Sequence, residues 1–418
     1  LAQLTNCRQA EQVRPELSDL FVVSLAIGTL FNNVSTGVDE NSYGSQTLLI
    51  NNFAIDLNKI VEDGAGRLNV EATLFPYKYP HSEGDNFDTY ASSYLGGDQS
   101  PQHSADSVPV FSLLSYENQF LNNKLNIEFG KINLQRNFFM INSGLDLSAT
   151  DPLVKWDSGV PDASTGSLGI HFSYALTPNW DIRAGYQDVL GYSSLVSNNG
   201  WDVLNRQDRN GGFYLGGVKY ASDDSSKFPL SLELTSYYSD ATYSDPYYST
   251  KGTSVVLTDD TAKEYSSDYG FVAKLNKKIA GGERGLYFFS SLEHSYSSAK
   301  PISWGSSTGL YITNPTDLGS ENISFSQLTF KVHYIKINES TLLYQRDLRV
   351  SNGGDAVMTS SDEFRYEVSA AFKIKDKLII QPVIEYIQNP DTSKSSSAST
   401  VPDDGWVVGV VAMLPLGI

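Results

Sequence analysis

Charged residues recur at spacings of two along otherwise apolar stretches, and that placement decides what chemistry they can do. In "SLGIHFSYALTPNWDIRAGYQ" (167–187), His171, Ser173, Asp181 and Arg183 occupy one phase, while Ile170, Phe172, Trp180 and Ile182 occupy the other. In "SQLTFKVHY", Lys331 and His333 alternate with Phe330, Val332 and Tyr334. In "EFRYEVSAAFKI", Glu363, Arg365 and Glu367 alternate with Phe364, Tyr366 and Val368. Glu117, Glu128 and Glu385 fall in the polar phase of their own stretches. Groups spread this way suit weak, reversible hydrogen bonding. Arg183 and Arg365 offer rigid donor forks that match vicinal hydroxyls or a carboxylate. For any single charge, a structural place in a mixed ring is the competing reading. The stretch from Leu134 to Thr165 adds Arg136, Asp146, Asp151, Lys155, Trp156 and Asp157. An indole such as that of Trp156 stacks on apolar ring faces, and it serves equally well to anchor a loop against a wall.

Catalysis is poorly served by the same residues. The five His are scattered singly and Cys7 stands alone, so neither zinc-ligand spacing nor a Cys–His pair is present. His171 and Ser173 lie two apart, as a strand-borne hydrolase pair would, but such pairs arise by chance in so Ser-rich a chain. "GGERG" and "YLGGVKY" precede no helix start and are not phosphate loops. The Asp-rich "SDD", "LTDD" and "VPDD" read as solvated loop charge. A formal net charge of −18 without a basic cluster argues against nucleic acid as a partner.

The elements that carry these residues alternate apolar and polar side chains with the period of a strand. Such stretches occur near 20–33, 45–57, 67–78, 108–120, 124–133, 166–176, 179–188, 212–221, 228–240, 266–278, 284–298, 321–337, 340–350, 362–374, 377–389 and 404–414. The best helical candidate is "CRQAEQVRPE", near the start. The longest apolar run, "LFVVSLAIGTLF", is too short for a helix that spans a bilayer, which needs about 20 residues. Between the strands, short connections ("LNN", "TPN", "NES", "KDK") alternate with long ones (134–165, 298–321, the stretch after Arg349). A soluble sandwich has no reason to keep its long loops at one end of every hairpin, whereas a transmembrane barrel does. The pattern therefore predicts an all-β, sixteen-stranded antiparallel transmembrane β-barrel with short periplasmic turns and long extracellular loops. Residues 1–16 are read as a periplasmic segment and 17–418 as the barrel domain. The apolar phase meets lipid and the charged phase lines a hydrated lumen, which leaves its charges solvated. Tyr174, Trp180, Tyr186, Tyr334 and Trp406, near strand ends, fit interfacial girdles.

Several stretches resemble the carbohydrate-selective porins of the OprB type. They are "LLSYENQFLNNKLNIEFGKI" (113–132), "FFMINSGLDLSATDP" (138–152), "NNFAIDLNKI", and "IIQPVIEYIQNPDT" (379–392) followed by "DDGWVVGVVAML". Gln381-Pro382 with Asn389-Pro390 is the most specific of these, and the similarity runs from about residue 45 onward. The ending "LPLGI" departs from the aromatic terminus usual in such barrels. The resemblance implies an outer-membrane porin for passive diffusion of monosaccharides or related polyhydroxylated solutes, with no enzymatic step, cofactor or metal. It also implies a third extracellular loop, 134–165, folded into the lumen. Its surroundings would be a lipid bilayer with lipopolysaccharide, and porins of this size are commonly homotrimers. The solute would meet Arg136, Lys155, Trp156 and Asp157 on that loop, and Glu117, Glu128, His171, Asp181, Arg183, Lys331, Arg365 and Glu385 on the wall. Two alternatives stay open: a porin for small organic acids, and a surface-binding adhesin or receptor whose lumen is closed.

Overall fold

Alternation in the sequence becomes a continuous β-ladder in the computed structural model. It describes residues 21–36, 39–59, 64–81, 110–140, 143–145, 165–190, 197–205, 209–223, 226–282, 284–375, 377–390, 399–401 and 403–417. The segment 1–16, read above as periplasmic, lies outside them. The chain begins with β1 (Phe21–Thr36), β2 (Asp39–Asp56), β3 (Arg67–His81), β4 (Val110–Phe120) and β5 (Leu125–Ile132). A connection opening on a π-helical turn, Gln135–Phe139, leads to β6 (Ser167–Ala175), β7 (Trp180–Leu190), β8 (Arg209–Ala221) and β9 (Leu230–Ser239). A separate small hairpin follows, β10 (Tyr243–Ser249) with β11 (Ala262–Tyr265). The rest is β12 (Asp268–Ala280), β13 (Leu286–Ser295), β14 (Ile302–Thr313), β15 (Ile323–Ile337), helix α1 (Glu339–Ser351), β16 (Asp362–Ile374), β17 (Leu378–Gln388) and β18 (Gly405–Gly417).

Without β10 and β11, the remaining sixteen strands form one closed antiparallel ring in which β12 follows β9 and β18 returns to β1. Closure satisfies every backbone edge, which a lipid-facing sheet requires. Burial is inverted relative to a soluble protein. The outward phase leaves Phe129, Phe172, Leu234, Phe330, Val368, Ile384 and Val408 exposed, while Ser115, His171, Thr235, Lys331, Glu367 and Gln381 are buried on the inner phase. A large apolar belt of this kind is stable only against lipid. Aromatic rings line up across neighbouring strands on the outer face. Tyr186 pairs with Tyr214 at 5.0 Å between centroids, Trp180 with Tyr220 at 5.1 Å, Tyr334 with Phe364 at 5.2 Å and Tyr386 with Trp406 at 4.9 Å.

Two segments differ from the sequence reading, and their errors cancel in the strand count. Residues 340–350, read as a strand, form most of helix α1. Leu, Gln and Arg favour a helix there, and Thr341, Leu342, Gln345, Leu348 and Arg349 are buried at helical spacing. Residues 302–313, read as part of a long loop, form β14. Its outward phase is diluted by Ser306 and Thr308, which hides the alternation carried by Trp304, Leu310 and Ile312. Its inward Gly309 is a matter of space, since a Cβ there would sit 2.8 Å from the Phe289 ring. The correction reverses the direction of β15. The link 314–322 joins the short turns, and "NES" belongs to the long-loop rim with α1.

Candidate functional site

The chain that leaves β5 turns into the lumen at once. Asn133 accepts the Arg136 N–H at 3.1 Å, and its amide donates to the Thr165 carbonyl, so the two ends of the third loop are stapled together. Gln187 on β7 reads the backbone on both sides of that start, accepting from Leu134 N–H at 2.9 Å and donating to the Ile132 carbonyl at 2.8 Å. The π-helical turn then drives Phe138 and Phe139 into an apolar patch of the inner wall formed by Val189, Phe213, Leu215, Tyr237 and Val272. Both rings are 0% exposed. Full burial of a Phe side chain is worth about 1.5–3 kcal/mol, so this aromatic foot is the largest single contribution to seating the loop.

Polar ties hold the foot from three directions. Arg136 grips Glu71 of β3 with both arms, at 2.8 and 2.6 Å. Glu71 is held in turn by the Ser112 hydroxyl at 2.8 Å. Such a buried bidentate pair costs about 3–5 kcal/mol to break from one side, because the remaining charge is stranded. Arg183 of β7 donates to the Asn137 carbonyl and lies 4.4 Å over the Phe138 ring. Lys274 of β12 donates to the Met140 carbonyl at 3.2 Å. Farther on, Gln327 of β15 donates to the Ser143 carbonyl at 2.8 Å and accepts from Leu145 N–H at 2.7 Å. In the ring order β5 and β15 stand opposite each other, so the loop crosses the full width of the barrel.

The wall charges follow the strand register. One row runs Asp181, Lys219, Glu233, Lys274 across β7, β8, β9 and β12, with the sign alternating at each strand. Glu233 is its hub, 2.7 Å from Lys274, 3.4 Å from Lys219 and 3.5 Å from Arg183. A second row runs Arg67, Glu117, Glu128, His171 across β3 to β6. There Asn126 donates to Glu117 at 3.0 Å and Ser115 to Glu128 at 2.6 Å, while His171 meets the edge of Phe138 at 5.3 Å. On the facing wall Lys331 pairs with Glu367 at 3.0 Å, and Glu385 stands across from Glu367 in register. Arg365 pairs with Glu363 at 2.5 Å, and His333 shares a 2.6 Å hydrogen bond with Ser307.

The expectation of solvated lumen charges holds for only one side. Lys331, Arg365, Glu367 and Glu385 are each 3% exposed or less, and ion pairs replace hydration there, across strands for Lys331 and Glu367 and along β16 for Arg365 and Glu363. Glu117, Glu128, Asp181, Arg183, Lys219, Glu233 and Lys274 remain partly open. The inner wall from β4 through β9 to β12 is therefore the more open one. Of the loop residues predicted from sequence, Arg136 sits among the described residues; Asp146, Asp151, Lys155, Trp156 and Asp157 lie outside them. Sequence reasoning missed Glu71, Gln187, Lys219, Glu233, Lys274 and Gln327. All but Gln187 and Gln327 were visible as charges in the inner phase, yet nothing local marks their partners.

No curated protein matches the sequence. Solved structures do. A high-pH structure of Pseudomonas putida OprB is 17% identical with a TM-score of 0.77, covering 96% of this chain and 95% of that one. A low-pH structure of the same protein is 12% identical with a TM-score of 0.54, covering 96% and 94%. A loop L8 deletion mutant of OmpT, an outer-membrane protein of Vibrio cholerae, is 9% identical with a TM-score of 0.51, covering 95% and 100%. At these identities the likeness speaks for the fold, the porin barrel with its lumen. The sequence itself matches the model of the carbohydrate-selective porin family, OprB, across residues 52–413, and the chain belongs to that family of outer-membrane channels.

Proposed function

We propose that the channel passes neutral monosaccharides and related polyhydroxylated solutes along the wall that runs from β4 through β9 to β12, between that wall and the clamped third loop. The observation that carries this reading is the alternating row Asp181, Lys219, Glu233, Lys274. Hydroxyls both donate and accept, and a row of alternating sign offers partners for both without a net field that would select an ion. Arg183, Arg136, Glu117 and Glu128 supply the neighbouring contacts, with His171 behind them under the Phe138 ring. Lys331, Arg365 and Glu385 act as supports of the far wall in this scheme. Passage needs only diffusion and weak binding, with no catalytic step. Assembly as a homotrimer in a lipopolysaccharide-bearing bilayer follows the habit of sixteen-stranded porins, and light scattering of the detergent-solubilised protein tests it.

Proteoliposome swelling tests the solute class. Swelling in glucose is expected to be faster than in sodium gluconate at equal osmolarity, and to slow as neutral saccharides grow longer. Faster swelling in gluconate would move the assignment to organic acids. No swelling with a folded barrel would favour a closed, surface-binding one.

A further inference from the structure

A cavity of about 650 Å³ lies among the loops of the long-loop rim. Its walls come from three connections: the β10–β11 hairpin between β9 and β12, Ser298 between β13 and β14, and the start of α1 between β15 and β16. Its size falls in the about 300–1,000 Å³ range of small-ligand sites.

The cavity is built from fixed parts. Asp245 is 2% exposed, and one of its oxygens accepts the N–H groups of Tyr247 and Tyr248 at 2.9 and 2.8 Å. Its other oxygen accepts Tyr265 Oη at 3.3 Å. The Lys263 ammonium stands 4.8 Å from the Tyr265 ring. Asn338 fastens the head of α1 to the neighbouring loop, donating to the Ser297 and Lys300 carbonyls at 3.1 and 2.6 Å. Arg346 of α1 donates to Tyr247 Oη at 3.3 Å, which ties helix to hairpin.

This frame leaves an exposed Tyr248, Glu339, Lys263, Thr250 and Ser298 lining the cavity, while the Asp245 carboxylate serves as its internal brace. A tyrosine face beside fixed acceptors and donors is the chemistry that holds a saccharide, whose ring has an apolar face and a hydroxyl rim. Glu339 and Lys263 balance each other in charge, which suits a neutral solute.

We propose that this cavity is an outer capture site for the same neutral saccharides that the channel passes, loading it from the loop side. It rests on the saccharide reading of the lumen. A preformed site at the mouth raises the local solute concentration and so the association rate from that side.

Single-channel recording with glucose tests it, with barrel orientation read from sided protease access to the loops. In the unaltered protein, blocking events should begin more often with glucose on the loop side than on the turn side. Tyr248→Ala should lower that loop-to-turn ratio about fivefold, the scale of one lost aromatic contact. Glu339→Gln should lower it too, and heat-modifiable mobility on gels verifies that both barrels are folded. Blocking from both sides with a ratio unmoved by either substitution overturns the capture site and leaves saccharide passage standing. Absence of blocking from either side overturns both.

Discussion

The double substitution Phe138→Ala, Phe139→Ala is expected to raise the single-channel conductance and make it noisy while the barrel remains folded. Each ring is fully buried in the patch of Val189, Phe213, Leu215, Tyr237 and Val272, and Phe→Ala at such a site costs about 3–5 kcal/mol. What remains to hold the loop is polar: Arg136 on Glu71, Arg183 on Asn137, Gln187 on Leu134, Lys274 on Met140 and Gln327 on Ser143 and Leu145. Neutral ties of this kind contribute about 0.5–1.5 kcal/mol each and charged ones about 1.5–3 kcal/mol. The foot therefore provides a share comparable to all of them together, and losing it lets the loop sample undocked positions. The main ladder is untouched, so heat-modifiable mobility should be retained. A quiet channel of unaltered conductance would mean that the foot does not set the lumen's cross-section.

Glu233→Gln should shift the ion preference toward anions. Glu233 is the carboxylate shared by Lys274, Lys219 and Arg183, and its neutralisation leaves those three cations facing the lumen with Asp181 alone opposing them in the row. The shift is read as a reversal potential in a KCl gradient. It should be largest near 0.1 M salt, where the screening length is about 10 Å, and fade toward 1 M, where it is about 3 Å. Stability falls as well, by about 3–5 kcal/mol for opening a buried charge cluster. Glu233→Asp keeps the charge and should restore the preference even if it does not restore the stability. An unaltered reversal potential in Glu233→Gln would place the conducting path away from this row.

Most of the barrel was legible because a lipid-facing strand writes its face into every second residue, as in Ile170, Phe172, Ile182 and Phe330. It failed where that code was diluted. In 302–313 small residues fill both phases, and in 340–350 a helix rides the rim with a polar surface of its own. The site was legible in part for a different reason. The inner phase announces which residues line the lumen, so Arg183, Glu117, Glu128 and Asp181 could be named. Which of them pair, and with what, depends on contacts between residues far apart in sequence: Arg136 with Glu71 across 65 positions, Lys274 with Met140 across 134, Gln327 with Ser143 across 184. No local pattern encodes those distances. The "FFM" run (138–140) reads locally as any buried aromatic pair, and only the barrel's curvature brings its patch within reach.

Planar-bilayer conductance of the purified protein, titrated with glucose and then with gluconate, tests the central claim most directly. A lumen lined by charges of alternating sign and crossed by a clamped loop should open readily, be partly closed by millimolar glucose, and respond far less to gluconate. Channels blocked by gluconate and indifferent to glucose would contradict it.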